Sequence, residues 1–337
     1  MAYISFQPSA HFNTKLYTGA NKTVTGVGFQ PDICWIKERS AAASAIFNAV
    51  RGATKFFESN SNGAEQTLAD SLTAFTSDGF TLGADSSSYV GGSSSDTVAW
   101  NWKAGGTGSA NTDGSDDSTV SVNTTAGISI VKWTPSGSNA TVGHGLGAVP
   151  ECMLSFRIGG GQDRFVYHKA IGNTHYLKLS TDVAQIDDAN AWNDTTPTSS
   201  VFSVGSQFGG SDSVQYCFTS VKGFSKFGSY VGNGNADGAF VYTGFKPAFV
   251  MIKYASGGGS GNWTMYDSKR LGYNVSNSYI YANESNAESS VSHIIDLVSN
   301  GFKCRANSSD TNTNGGTMIY MAFAEEPLVA SNGTPAT

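Results

Sequence analysis

Charge is scarce in this 337-residue chain: Lys and Arg number 20 and Asp and Glu 26, so 14% of residues are charged, where soluble domains carry about 25%. The formal net charge of −6 leaves no basic field to neutralise phosphates, which argues against nucleic acid as a partner. Proline is limited to eight residues, too few for collagen or polyproline structure. The four cysteines, Cys34, Cys152, Cys217 and Cys304, stand far apart with no C-x-x-C pair, unlike a small disulfide framework or a clustered zinc site. Each lies in an apolar run and reads as a buried free thiol, in keeping with synthesis in a reducing cytosol. Residues 1–12 show no basic start followed by an apolar stretch, and no 18 consecutive apolar residues occur. Neither a secretory leader nor membrane insertion is expected.

What is abundant is glycine, 40 residues, beside 12% aromatics and 39% hydrophobics overall, a composition too apolar for disorder. The chain also repeats itself. Gly28-Phe29-Gln30-Pro31-Asp32-Ile33-Cys34-Trp35-Ile36-Lys37 is answered by Gly244-Phe245-Lys246-Pro247-Ala248-Phe249-Val250-Met251-Ile252-Lys253 and, more distantly, by Gly147-Ala148-Val149-Pro150-Glu151-Cys152-Met153. Upstream of each stands an aromatic, Tyr17, Tyr230 or Trp133. Downstream follow Phe47-Asn48, Tyr167-His168 and Tyr266-Asp267, each ahead of a glycine (Gly52, Gly172, Gly272). Then come Phe80, Phe202 and Phe302, and closing aromatic runs at 98–102, 214–218 and 319–323.

These landmarks predict an all-β protein of three tandem β-sandwich or jelly-roll-like repeats, mostly antiparallel. The expected boundaries are 1–106 with a short N-terminal segment, 126–222, and 223–337 with a polar C-terminal tail. Residues 107–125 are almost wholly Gly, Ser, Thr, Asn and Asp and read as a linker too polar to bury. Residues 41–52 look mildly helical, but their counterparts at 164–168 and 263–267 read as strands, so all three are taken as strand. Asp78-Gly79 and Asn300-Gly301 predict type I′ hairpin turns. Short helices are expected near 64–72 or 287–291.

No enzyme motif survives inspection. Gly143-His144-Gly145-Leu146-Gly147 precedes a strand where a phosphate loop must open a helix, and Gly257-Gly258-Gly259-Ser260-Gly261 lacks the setting of a nucleophile elbow. Acid/base hydrolysis needs paired carboxylates on a rigid face, whereas Asp113, Asp116, Asp117, Asp187 and Asp188 fall in polar loops. His168 and His175 read as satisfied polar residues rather than a metal pair. Asp310-x-Asn312-x-Asn314-Gly315 copies the first half of a calcium loop, but its twelfth position is Met321, so a polar turn is the preferred reading and no cofactor is expected. The aligned Asn48, His168 and Asp267 differ in chemistry, which argues against a shared catalytic role. Binding candidates are aromatics in polar surroundings, Tyr89, Trp192 and Trp263, suited to stacking on a sugar face or anchoring a partner.

Phe12-Asn13-Thr14-Lys15-Leu16-Tyr17-Thr18-Gly19, Gly26-Val27-Gly28-Phe29-Gln30-Pro31-Asp32, Val50-Arg51-Gly52-Ala53-Thr54-Lys55 and Ala99-Trp100-Asn101-Trp102-Lys103-Ala104-Gly105-Gly106 together resemble a repeat family common in marine tailed bacteriophages. Residues 223–230 and 322–327 are similar too. The resemblance implies a virion structural protein of the tail-fibre type, with no catalytic residues to carry over. The expectation is a non-enzymatic tail appendage or fibre component, assembled in the host cytoplasm and located in the virion. Its partners would be other virion proteins, further copies of itself in a homo-oligomer such as a trimer, and host surface carbohydrate. The alternative is a capsid decoration or head-fibre protein, and below that a polysaccharide depolymerase or a soluble lectin whose sugar binding is lost in Trp192→Ala or Trp263→Ala.

Overall fold

A computed structural model describes residues 6–270, 274 and 278–326; Gly272 and the tail after Glu326 lie outside them. The first unit supplies β1 (Phe12–Thr18), β2 (Thr23–Val24), β3 (Ile33–Glu38), β4 (Ser44–Asn48), β5 (Gly52–Glu58), β6 (Gln66–Thr67), β7 (Leu72–Thr76), β8 (Gly79–Leu82) and β9 (Asp96–Trp102). The second holds β10 (Ser109–Asn111), β11 (Ser118–Asn123), β12 (Ile128–Trp133), β13 (Ala140–Gly143), β14 (Cys152–Arg157), β15 (Phe165–His168), β16 (His175–Lys178), β17 (Ile186–Asp187), the one-turn helix α1 (Ala189–Trp192), β18 (Val201–Val204) and β19 (Ser213–Phe218). The third has β20 (Ser225–Val231), β21 (Phe240–Tyr242), β22 (Phe249–Ser256), β23 (Thr264–Asp267), β24 (Ile280–Tyr281), β25 (Ile295–Val298), β26 (Gly301–Cys304) and β27 (Thr317–Phe323).

The protein is all-β, and one strand order occurs in three sheets. The first large sheet runs β1-β9-β3-β4-β5-β6, the second contains β12-β19-β14-β15-β16-β17, and the third runs β20-β27-β22-β23-β24. In each, the unit's closing strand is inserted antiparallel between its opening strand and the first arm of a meander. A small sheet lies in each unit: β2-β8-β7, β13-β18 and β21-β26-β25.

Side-chain alternation divides each large sheet between two cores. Cys34, Ile36, Phe47 and Ala99 pack with Leu72, Phe80 and Leu82 of the first small sheet. Met153, Phe165 and Cys217 do so with Phe202 and Val204, and Val250, Ile252 and Tyr320 with Leu297 and Phe302. The opposite faces meet one another. Trp35, Trp100 and Trp102, Leu154, Tyr216 and Phe218, and Met251, Met321 and Phe323 belong to a single continuous core drawn from all three units. Coverage on both faces explains why β3 and β19 are buried along their whole length. At the centre, the Phe323 ring stands 5.5 Å from Phe12, 5.6 Å from Trp102, 5.9 Å from Phe218 and 6.4 Å from Phe249.

Local details depart from the sequence reading. The segment 107–125 does not act as a plain linker: β11 pairs along all of β12, and β10 pairs with β11, because Val120 and Val122 supply the alternation that its polar composition masks. Neither expected helix forms. Residues 66–67 pair with Lys55 and Phe56 instead, and 287–291 hold only an isolated bridge between Ser289 and Tyr279. The α-helix that does form starts at the Asp188 cap, whose carboxylate accepts the Asn190 N–H, and ends on Asn193 at φ 51°. Both hairpins exist, but their loops are Ser77-Asp78 and Ser299-Asn300. Gly79 and Gly301 are already in strand. They are needed there because a Cβ would fall 2.0 Å from the carbonyl oxygens of Val24 and Val241 respectively, which is close backbone approach rather than turn chemistry.

Candidate functional site

The polar residues most able to carry chemistry are those ending β4, β15 and β23. Asn48, His168 and Asp267 are buried, and each reaches the closing strand of a neighbouring unit. Asn48 Nδ2 donates to the Tyr216 hydroxyl at 2.7 Å, His168 Nε2 to the Tyr320 carbonyl at 3.2 Å, and Asp267 Oδ2 accepts the Trp100 Nε1–H at 3.1 Å. First touches second, second touches third, third touches first. The column is a cyclic set of joints, with a different bond at each position.

The His168 joint fixes one tautomer. A carbonyl only accepts, so Nε2 carries the proton, and Nδ1 accepts the Ala170 N–H at 3.2 Å. Burial pushes this imidazole down to about 4. An unfolded histidine takes up its proton near pH 6.5, so between those values the unfolded chain binds more protons and stability falls as pH falls. The expected loss is on the order of 2–3 kcal/mol. Urea midpoints at about pH 7 and about pH 4.5 check it: the acid shift should shrink in His168→Gln, and an unchanged shift would place the titration elsewhere.

Asp267 is the most densely bonded of the three. Its Oδ1 accepts the backbone N–H groups of Lys269 and Arg270, both at 3.0 Å, and Oδ2 accepts Arg270 Nε at 2.6 Å. Both side chains of this ion pair are fully enclosed. Arg270 continues to Glu288 at 3.0 Å, and Glu288 to Arg39 of the first unit at 2.8 Å.

Two buried amines resemble nucleophilic lysines. Burial pushes Lys253 down to about 7 and Lys37 down to about 8. A Schiff-base lysine needs a cavity for its carbonyl substrate. Lys253 Nζ instead donates to the carbonyls of Asp182 and Gly261 at 2.7 and 2.6 Å, and Lys37 Nζ to those of Ala42 and Glu284 at 2.7 and 2.8 Å. Lys253 thereby ties the third unit to the second, and Lys37 the first to the third.

The nearest approach to a nucleophile–base–acid arrangement is Ser308, His293 and Asp310. Ser308 Oγ bonds His293 Nδ1, and His293 Nε2 meets Asp310 Oδ2 at 3.3 Å and the Tyr281 hydroxyl at 2.7 Å. All three residues are buried, and Ser308 Oγ also accepts the N–H groups of Asp310 and Thr311. The hydroxyl braces a turn and faces no substrate space.

Of the three aromatic binding candidates, Trp192 and Trp263 are internal. Trp192 is 1% exposed, packed between Tyr167 and Phe208; the Asn and Asp residues flanking it are helix caps, not a rim. Trp263 is 3% exposed in the common core, and its indole N–H donates to the Lys178 carbonyl at 2.8 Å. Tyr89 is half-buried against Phe56, with its hydroxyl donating to Glu58 at 2.7 Å. The calcium-like turn does not converge on a cation. Asp310 serves His293 and Asn262, Asn312 bonds Asn233, Asn235 and Ala306, and Asn314 faces solvent. Among the described residues no group of three or more His, Cys, Asp or Glu could hold a metal ion. All four cysteines are buried and free.

What remains is surface. A groove of about 460 Å³ borders β1, with Lys15, Lys269, Glu325 and Glu326 in its wall, and one of about 400 Å³ borders β20, with Glu151, Lys169, Lys222, Lys226 and Tyr242. Both lie where one unit's opening strand meets the end of the preceding unit.

Fold and site together define an all-β body of three large sheets joined through one core, with buried polar groups bridging them at Asn48, His168 and Asp267. The chain belongs to the family DUF7483, a domain of unknown function, which matches residues 7–327. No match was found among curated proteins or among solved structures.

Proposed function

We propose that the chain is a non-enzymatic structural component of a bacteriophage virion, seated in a tail appendage or fibre and surrounded by other virion proteins. The observation that carries this reading is the core shared by three units and closed by cyclic joints. Such a body cannot lose one unit without exposing the others, which suits a load-bearing particle component, and the polar clusters that could do chemistry are spent on holding it. The phage-like motif string supports the same assignment. Since Trp192 and Trp263 are internal, we assign them no glycan contact; their alanine variants would unfold cores rather than abolish sugar binding.

A capsid position is the second reading, since a body of three sheets joined through one core would serve equally as a decoration on the shell. Gold-labelled antibody on purified particles separates the two. Label on the tail supports the proposal, label over the head shell replaces it with capsid decoration, and absence from the particle overturns both.

One chain already gathers three like-ordered sheets around a shared core, which supports a monomer over the oligomer expected from sequence. Sedimentation should give a species near 35.3 kDa; a trimer would mean that a further interface exists.

A further inference from the structure

The opening strands β1, β12 and β20 hold equivalent places at the edge of their order, yet they are not treated alike. β12 is covered. Residues 109–123 lay β11 antiparallel along it, with Ser121 Oγ accepting the Gly105 N–H at 2.9 Å and Asn123 bonding the Lys103 carbonyl. The same segment seals the edge of the small sheet: Asp116 N–H donates to the Thr141 carbonyl of β13 at 3.0 Å, and Ser115 N–H to the Thr141 hydroxyl at 2.9 Å.

In the third unit both edges are open. No strand among the described residues pairs with the outer side of β20 or of β21. The inner amides of β20 face β27, a parity that continues to Gly232, whose N–H donates to the Gly316 carbonyl. Phe227, of the opposite parity, donates outward to Ser220 Oγ at 3.3 Å, so Ser229 and Val231 also direct their N–H groups outward. The same two strands expose Val231, Phe240 and Tyr242 at 61%, 51% and 46%, in a chain with few exposed large apolar side chains. The groove beside them is lined by three lysines, Lys169, Lys222 and Lys226, against one carboxylate, Glu151, which Lys169 already pairs at 2.9 Å. The segment that fills the second unit's edge carries Asp113, Asp116 and Asp117.

We propose that the open edges of β20 and β21 dock an extended, acidic, Ser/Thr/Val-type segment of another polypeptide, added antiparallel to β20 as β11 is added to β12. Main-chain bonds supply affinity, apolar contacts at Val231, Phe240 and Tyr242 fix the register, and the lysines select acidic segments. The inference stands apart from any virion assignment.

The test uses the full chain and a synthetic peptide with the sequence of residues 109–123. Saturable binding is expected, weakened by salt, with hydrogen-exchange protection appearing at the amides of Ser229 and Val231. Ser229→Pro removes an outward N–H at an edge position that tolerates proline and should weaken binding at least tenfold. Phe240→Ser removes only an exposed apolar side chain, leaves the charge of the surface unchanged, and should also weaken binding, with an unchanged melting temperature. The proposal is overturned by no saturable binding, by equal binding of a scrambled peptide, by equal affinity in both variants, or by protection confined to β12. Self-association of the protein alone that Ser229→Pro abolishes would also overturn it, since the occupant would then be a second copy.

Discussion

Phe323→Ala should lower the stability of the entire chain by about 4–5 kcal/mol, the upper range for a buried phenylalanine. The ring is completely buried and packs against aromatics of all three units, Phe12 and Trp102, Phe218, and Phe224, Phe227 and Phe249. Aromatic pairs contribute about 0.5–1.5 kcal/mol beyond area burial, and the cavity cannot collapse when its walls are three separate sheets. Denaturant unfolding is expected to be a single transition in both proteins, because no unit owns the core. A wild-type curve with separate phases, only one of which moves in the variant, would show that the sandwiches unfold independently and that the common core is weak.

Asp267→Asn should cost about 3–5 kcal/mol, the penalty for breaking a buried ion pair from one side. The carboxylate accepts four N–H groups, from Trp100, Lys269 and two of Arg270. An amide can accept through only one atom and would turn its own donors toward the others, leaving Glu288 as the one carboxylate paired with Arg270. The variant therefore loses a local turn, an ion pair and the joint between the third and first units together. A double-mutant cycle with Trp100→Phe isolates the joint, and a coupling of about 1.5–3 kcal/mol is expected for a charged hydrogen bond. Coupling near zero would mean that the indole contact contributes nothing across the joint.

The strands were legible because the apolar alternation is written in the residues, and β4 was recoverable despite the alanines at 41–43 because its counterparts β15 and β23 are unmistakable. The three large sheets share one strand order, a pairing that the linear succession of landmarks does not state. What could not be read is how sheets face each other. Trp192 and Trp263 stand amid Asn, Asp and Gly, and local polarity gives no sign that helix caps and a packed loop carry them inward. The polarity of 107–125 likewise hides Val120 and Val122, which turn a presumed tether into two strands. Asn48, His168 and Asp267 were visible as a column, and their unlike chemistry argued against shared catalysis. Their true partners lie on other units, at separations of 168, 152 and 167 residues, beyond any local pattern. A signal was present all the same: Tyr216 and Trp100 share one position in the closing runs, while Met321, with no polar group to offer there, leaves His168 to find a carbonyl.

Those unlike joints bear on how the chain reaches its native arrangement. Like-built segments joined in tandem are prone to exchange places while folding, since each offers similar apolar faces to the others. Here an amide seeks a phenol, an imidazole N–H seeks a carbonyl, and a carboxylate seeks an indole N–H. Seating Asp267 against the Tyr320 carbonyl would oppose two acceptors, and seating His168 against Trp100 would oppose two donors in the tautomer it holds. Wrong neighbours are thus rejected by chemistry as well as missed by shape, and which unit abuts which is specified by three small polar passwords that no two positions share.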